Sequence, residues 1–274
     1  MEVIYLTHLS ELKNLESHVM AIGFFDGVHL GHQELFKHTN EQARKRGIKS
    51  SALTFSPHPD EVIKGDSSRK YLTPLQEKIK KISQCGIDKL YVMKFDKPFA
   101  SLPPMDFIKK YIIGMNVKHV VVGFDFTFGF KAQGNTKVLE AESLKGDFGL
   151  TIVPKKTYVD TKISSTETRK LLNEGNVETI PYYLGMNYQV KALINGSNRT
   201  NSTFSVTITD RYLLPKPGIY EVNIIINNKV YNGEFNLTDC KNELNIFDVN
   251  HSDLKEELTI EFLNRLRVKS VVLV

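Results

Sequence analysis

Two histidines three residues apart, His29 and His32, lie in the segment GFFDGVHLGHQELF (Gly23–Phe36) with Asp26 and the glycines Gly23, Gly27 and Gly31. The apolar spacing predicts a strand over 18–25 and a helix over 31–46 stopped by Gly47, which makes Asp26 to His32 the loop at the strand's carboxyl end. Open α/β sheets bind ligands at that edge. A helix N-terminus presents backbone N–H groups and partial positive charge, and residues at i and i+3 share a face, so both imidazoles can donate to one phosphate group. Glycine lets the backbone come close to it. A plain turn with two polar caps is the alternative. Zinc is disfavoured, because two histidines are too few and no nearby Cys or H-E-x-x-H pattern supplies the rest.

Three other segments hold residues able to do chemistry. ISSTETR (163–169) reads as a helix start, with Ser164 as N-cap and Glu167 completing a capping box for a helix over 164–174. That leaves Arg169 unexplained: one turn in, behind the hydroxyls of Ser165 and Thr166, it can hold the β- and γ-phosphates of a nucleotide. In TFSPHP (54–59), His58 stands between two prolines, where it either decorates a rigid turn or is held ready at the end of a strand to meet a phosphate. Asp125, Phe126 and Phe128 follow the strand candidate KHVVVG (118–123). Phenylalanines in such a run are more often core than ligand platform. His8, His18, His38, His119 and His251 belong to no constellation.

These residues need elements to position them, and up to residue 186 strand-like and helical runs alternate. After the strand at 18–25 and the helix at 31–46 come strands at 49–55, 89–95, 118–123 and 150–155. Between them lie helices in PLQEKIKKISQC, PPMDFIKKYII and TKVLEAESL; Thr73-Pro74 starts the first and Gly86 ends it. This alternation predicts a parallel sheet with helices on both faces. From Asn187 onward only extended runs follow, seven of them ending in SVVLV (270–274), with Asn227-Asn228 as a hairpin turn. A small closed barrel is predicted, and periodicity leaves a sandwich open. The expected domains are therefore 1–186 and 187–274.

The 274 residues are 41% hydrophobic and 24% charged, enough for a full core. The net charge of +5 lies entirely in the first part: 26 Lys+Arg against 21 Asp+Glu through Met186, then 10 against 10. The first domain thus prefers anions: nucleic acid is one, although no long basic run or aromatic-basic RNA motif appears, and a phosphorylated small molecule satisfies the same bias, so charge alone does not choose between them. No basic segment followed by an apolar run opens the chain, and no stretch approaches the ~20 apolar residues of a membrane helix, so a cytoplasmic protein is expected. Cys85 and Cys240 have no C-x-x-C partner and are expected reduced and buried.

GFFDGVHLGHQ resembles the G-x-F-D-G-V-H-x-G-H-Q signature of bacterial FAD synthetases, within the H-x-G-H nucleotidylyltransferase superfamily. TFSPHP resembles the family's T-F-x-P-H-P, VVGFDFTFGFKAQGN (121–135) its V-G-x-D/N-F-x-F-G loop, and ISSTETR its I-S-S-T-x-x-R element, all in family order. The resemblance implies a Rossmann-like domain that transfers an adenylyl group from ATP to FMN, releasing pyrophosphate and FAD. It implies His29 and His32 at the α- and β-phosphates and Arg169 at the leaving pyrophosphate. Gly23, Phe24, Phe25, Asp26, Gly31, Ser164, Ser165 and Thr166 would line the ATP site, and His58, Asp125, Phe126 and Phe128 the flavin site. Mg²⁺ would arrive with ATP, without a dedicated protein cage. Phe24 stands where the family often has asparagine.

The run from Tyr182 resembles the entry to the family's riboflavin kinase barrel. Its G-x-P-T-A-N motif is missing, the matching region being RTNSTFSVTIT (199–209), while Glu243 stands where the kinase has its general base. The family would also continue beyond SVVLV into a further helix. A monofunctional FMN adenylyltransferase with a degenerate barrel is therefore expected. The rivals are a bifunctional enzyme and a flavin- or nucleotide-sensing protein without turnover.

Overall fold

The computed structural model describes residues 1–12, 15–195, 203–209, 211–238, 242–249, 252 and 254–266. They form two compact units: Met1–Arg69 with Leu75–Thr157, and Lys70–Pro74 with the residues described from Tyr158 onward. Among the described residues no helix is long and apolar enough to cross a membrane.

The first unit runs β1 (Glu2–Leu6), β2 (His18–Ile22), α1 (Leu30–Arg46), β3 (Lys49–Ser56), α2 (Pro59–Ile63), α3 (Leu75–Gln84), β4 (Lys89–Lys94), α4 (Lys97–Ala100), α5 (Pro104–Phe107), β5 (Val117–Gly123), β6 (Thr127–Phe128), β7 (Gly134–Asn135), α6 (Thr136–Ser143) and β8 (Gly149–Val153). Six strands make one sheet in the order β1-β4-β3-β2-β5-β8, every neighbouring pair parallel. A parallel sheet covered on both faces needs apolar residues on both, and HVMAI of β2 is buried throughout. Alternate residues feed opposite cores: Met20 and Ile22 pack with Phe107 and Tyr111, whereas Ala21 packs with Phe25, Phe36 and Ile82. Gly47 closes α1 in the left-handed region at φ +64°, its N–H reaching the carbonyls of Ala43 and Arg44.

The structure departs from the sequence expectations at four places. The strand predicted over 18–25 ends at Ile22, because Gly23–Phe25 leave the sheet to build the loop described below. β1, an edge strand with Tyr5 exposed, was not among the predicted strands. The helix predicted in PPMDFIKKYII begins as α5 but widens over Ile108–Ile113 into π-helical turns, with the Gly114 N–H reaching the Lys109 carbonyl at 2.8 Å. Cys85 is a free thiol that is partly rather than fully buried, and its burial pushes the thiol up; Cys240 lies outside the described residues.

His119 on β5 has a purely structural setting. Arg46 Nη2 lies 3.0 Å from its Nδ1 and Thr151 Oγ1 2.7 Å from its Nε2. Burial, and then the Arg46 charge, push its pKa down from 6.5 to about 4. The unfolded chain therefore takes a proton on this ring as pH falls below 6.5, whereas the folded protein resists until about 4. Stability from this source is complete above pH 6.5 and lost toward pH 4, by ~2 kcal/mol given that Arg46 itself is exposed. Urea unfolding at pH 7 and pH 4.5 should show that loss in the wild type and a smaller one in His119→Gln.

The second unit runs β9 (Thr157–Tyr158), at its junction with the first, β10 (Thr161–Lys162), α7 (Ser165–Glu174), α8 (Pro181–Leu184), β11 (Tyr188–Asn195), β12 (Thr203–Ile208), β13 (Gly218–Ile226), β14 (Lys229–Leu237), β15 (Asn242–Ile246) and β16 (Glu257–Leu266). The last six close into a barrel in the order β11-β12-β15-β14-β13-β16, all antiparallel, so the sandwich is excluded. Closure removes exposed edges, and alternating residues such as Tyr220, Val222, Ile224 and Ile226 fill the interior around Phe262. Asn227 and Asn228 turn the β13–β14 hairpin at φ +50° and +64°, as a two-residue type I′ loop requires. The predicted strand SVVLV and residues 199–202 lie outside the described residues. The change to strands comes at Tyr188, but the compact unit that holds the barrel already includes α7 and α8. It also includes Lys70–Pro74, where Tyr71 donates to the Arg211 carbonyl at 2.7 Å and accepts from the Leu213 N–H at 2.8 Å.

Candidate active site

Beyond the carboxyl end of β2 the chain makes a tight, largely buried loop into α1. The Gly23 N–H still donates to the Leu53 carbonyl at 3.1 Å. Phe25 then adopts a left-handed conformation at φ +58°, Gly27 follows at +82°, and Val28 sits at +46°. A β-branched residue there is strained by ~1–3 kcal/mol, which the surroundings must hold in place. They do so with defined bonds: Thr54 Oγ1 and Lys78 Nζ donate to the Phe24 carbonyl at 2.8 and 2.7 Å, and Gln33 Nε2 donates to the Val28 carbonyl at 3.0 Å. Asp26 is buried at 3% exposure.

This loop delivers His29 as the N-cap of α1, its Nδ1 accepting from the His32 N–H at 3.3 Å. An Nδ1 that accepts places the ring proton on Nε2. The two imidazoles stack with centroids 3.5 Å apart and planes 18° from parallel, and His32 meets the Phe25 ring edge-on at 5.2 Å. The sequence expectation that His29 and His32 share a face thus holds, with His29 serving as the cap as well. Leu30 and Gly31 occupy the first two helical positions, whose N–H groups have no intrahelical acceptor by their place in the turn. The arrangement concentrates ring donors, backbone donors and the positive helix end at one spot, which suits a phosphate chain.

Gly23 is needed for its size. A Cβ there would lie 2.6 Å from Cε1 of Phe25, the ring that backs His32. Gly23→Ala should cost ~1–3 kcal/mol in thermal unfolding, because it displaces the ring that supports His32. A variant with unchanged melting temperature would contradict that packing role.

His58 caps α2: its Nδ1 accepts from the Asp60 N–H at 3.0 Å, while Glu61 Oε1 accepts from the His58 N–H at 3.3 Å, a full capping box. Asp60 in turn pairs with Arg69 at 2.9 Å and Lys64 at 3.0 Å. The His58 ring packs edge-on against Phe24 at 4.3 Å. His58 is thus held rigidly by a turn and placed beside the loop.

The aromatic segment after β5 divides. Phe128 belongs to the core, 5.2 Å from Phe107, and Phe126 stacks on it at 5.6 Å. Asp125, Phe124 and Phe130 are exposed. The exposed phenylalanines of the segment are thus Phe124 and Phe130, which the sequence reading did not single out, and Lys131 Nζ lies 5.2 Å from the Phe130 ring centroid.

Ser164, Ser165, Thr166 and Arg169 belong to the second unit. Ser164 is the N-cap of α7, its Oγ accepting from the Glu167 N–H at 3.2 Å, while the Glu167 carboxylate faces Lys170 at 3.4 Å. Ser165 and Thr166 open the helix, and Arg169 Nη2 donates to the Lys70 carbonyl at 2.9 Å.

Lys78 is a buried charge against the loop that the sequence reading missed. It is 2% exposed, its Nζ 3.8 Å from the Phe24 ring centroid, and burial pushes its pKa from 10.5 down to about 8, against an opposing pull from Asp26. Its signal was present: Leu75, Lys78, Ile79 and Ile82 form one helical stripe, with a lysine where an apolar residue would be expected.

Comparison with known proteins agrees with this geometry. The profile of the FAD synthetase family matches residues 11–167. A bifunctional riboflavin kinase/FMN adenylyltransferase of Bacillus subtilis is 39% identical, over 97% of this chain and 90% of that protein. A protein of Listeria monocytogenes named FAD synthetase is 30% identical over 90% of this chain and 98% of its own length. A crystal structure from Streptococcus pneumoniae, described as a macrolide-efflux protein, superposes with a TM-score of 0.87 at 30% identity, covering 99% of this chain and 94% of the other. With the loop, the stacked histidines and the parallel sheet in place, the chain belongs to the FAD synthetase family of nucleotidyltransferases.

Proposed function

We propose that the protein is a monofunctional FMN adenylyltransferase. A terminal phosphate oxygen of FMN attacks the α-phosphorus of ATP; the new P–O bond forms as the bond to the β-phosphate oxygen breaks, giving FAD and pyrophosphate. The observation that carries the reading is the stacked His29–His32 pair at the N-terminus of α1. The attacking phosphate is already ionised near neutral pH, so the chain supplies alignment and charge stabilisation rather than a nucleophile. His29 and His32 serve the α- and β-phosphates through ring N–H groups, aided by the N–H groups of Leu30 and Gly31. Arg169, with Ser165 and Thr166, receives the leaving pyrophosphate. His58, Asp125 and the aromatic segment from Phe124 to Phe130 serve the flavin end. Mg²⁺ enters with ATP on phosphate oxygens, needing few protein ligands.

The absence of Pro-Thr-Ala-Asn from residues 199–209 favours a barrel without kinase activity, as does the similarity to the Listeria protein named only FAD synthetase. The identity to the bifunctional Bacillus protein, and Glu243 on β15, favour the rival reading. Incubation with MgATP and riboflavin, and separately with FMN, distinguishes them. FAD is expected from FMN and nothing from riboflavin; FMN formed from riboflavin would establish the bifunctional enzyme.

A further inference from the structure

We infer that Lys78 is a positioning residue for the phosphate loop: from beneath it, the buried ammonium locks the Phe24 carbonyl so that His29 and His32 keep their alignment when ATP binds. The inference rests on reading that loop as the ATP site.

A lysine inside a protein is costly, since its charge leaves water, and a methionine of similar length would fill the same space without that cost. What the ammonium adds here is specific. It donates to the Phe24 carbonyl at 2.7 Å, lies 3.8 Å from the centroid of the Phe24 ring and faces the buried Asp26. Thr54 Oγ1 donates to the same carbonyl at 2.8 Å, so both acceptor directions of that oxygen are taken. The residue directly after it begins the left-handed sequence of Phe25, Gly27 and Val28. A freely swinging carbonyl would release that turn, and with it the Phe25 ring on which His32 rests.

The charge also ties the loop to its ligand. Asp26 on the turn pulls against burial at Lys78; Glu77, Lys80 and Lys81 are its neighbours along α3, and the His58 ring meets Phe24 edge-on. Burial lowers both Lys78, to about 8, and Lys81, so near pH 8 a share of the Lys78 population is neutral. A polyphosphate bound on the loop adds negative charge and should draw the proton back.

Titration calorimetry of MgATP binding at pH 8, in buffers of different ionisation heat, tests this in the full-length protein without catalysis. The wild type should take up about half a proton on binding. Lys78→Met should take up none and bind ATP at least tenfold more weakly, while melting within a few degrees of the wild type. In steady-state assays, kcat/KM for ATP should fall above pH 8 in the wild type and lose that limb in Lys78→Met; a limb that persists overturns the inference. ATP binding by the wild type without proton uptake overturns the inference even if the variant fails to fold, and so does uptake that survives in Lys78→Met. A protein that binds ATP with uptake yet forms no FAD would refute the proposed reaction and leave the role of Lys78 standing.

Discussion

His32→Ala is expected to lower FAD formation by ~10²-fold or more while leaving the fold intact, because in the proposed role its ring is one preorganised donor to developing negative charge. The residue is better suited to this test than its neighbour. His29 is also the N-cap of α1, so His29→Ala sacrifices a cap worth ~1 kcal/mol along with any catalytic contact, and a loss of rate there has two causes. His32 donates its backbone N–H to that cap, and alanine keeps the N–H. Its ring contributes stacking on His29 and an edge contact to Phe25. Circular dichroism melts and single-turnover rates on the same preparations separate the two quantities. Turnover within a few-fold of wild type would remove His32 from the phosphate site.

Arg169→Ala carries an expected loss of similar size, ~10²-fold in kcat/KM. In the structure its guanidinium donates to the Lys70 carbonyl, one N–H of a planar fork that has several. In the proposed role the planar guanidinium meets pyrophosphate oxygens in pairs. Lysine in its place keeps the charge and loses the fork, so Arg169→Lys should recover only a small part of the rate. If instead lysine restored nearly all activity, the arginine would act as a general positive charge and the paired contact would be wrong. Pyrophosphate inhibition reports on the same contact and should weaken in both variants.

The site was legible wherever function demands unusual residues in a row. His29, His32 and the glycines around them stand out because no core or surface pattern calls for them, and the alternation around them fixed the loop at the end of β2. What escaped was context supplied by distant chain. Lys78 lies 54 residues from the carbonyl it holds, and its place on the apolar stripe of LQEKIKKISQ announces burial without showing which group it meets. The strand predicted over 18–25 ran past Ile22 because Gly23–Phe25 are as apolar as the strand, and only the donors from Thr54 and Lys78 show why they leave it. Phe128 and Phe124 are alike in sequence, yet one fills the core beside Phe107 and the other is exposed, a distinction made by the short β6–β7 pairing. In the second unit, alternation announced the strands, while closure into a barrel depends on β16 pairing with both β11 and β13. Such long-range pairing has no local signature.

The most direct measurement follows the α-phosphate. With FMN and ATP labelled at the α-phosphorus, the purified protein should place the label in FAD and release one unlabelled pyrophosphate for each FAD formed. Label recovered in ADP, or left in ATP under saturating FMN, would show that the loop at the head of α1 does not transfer an adenylyl group.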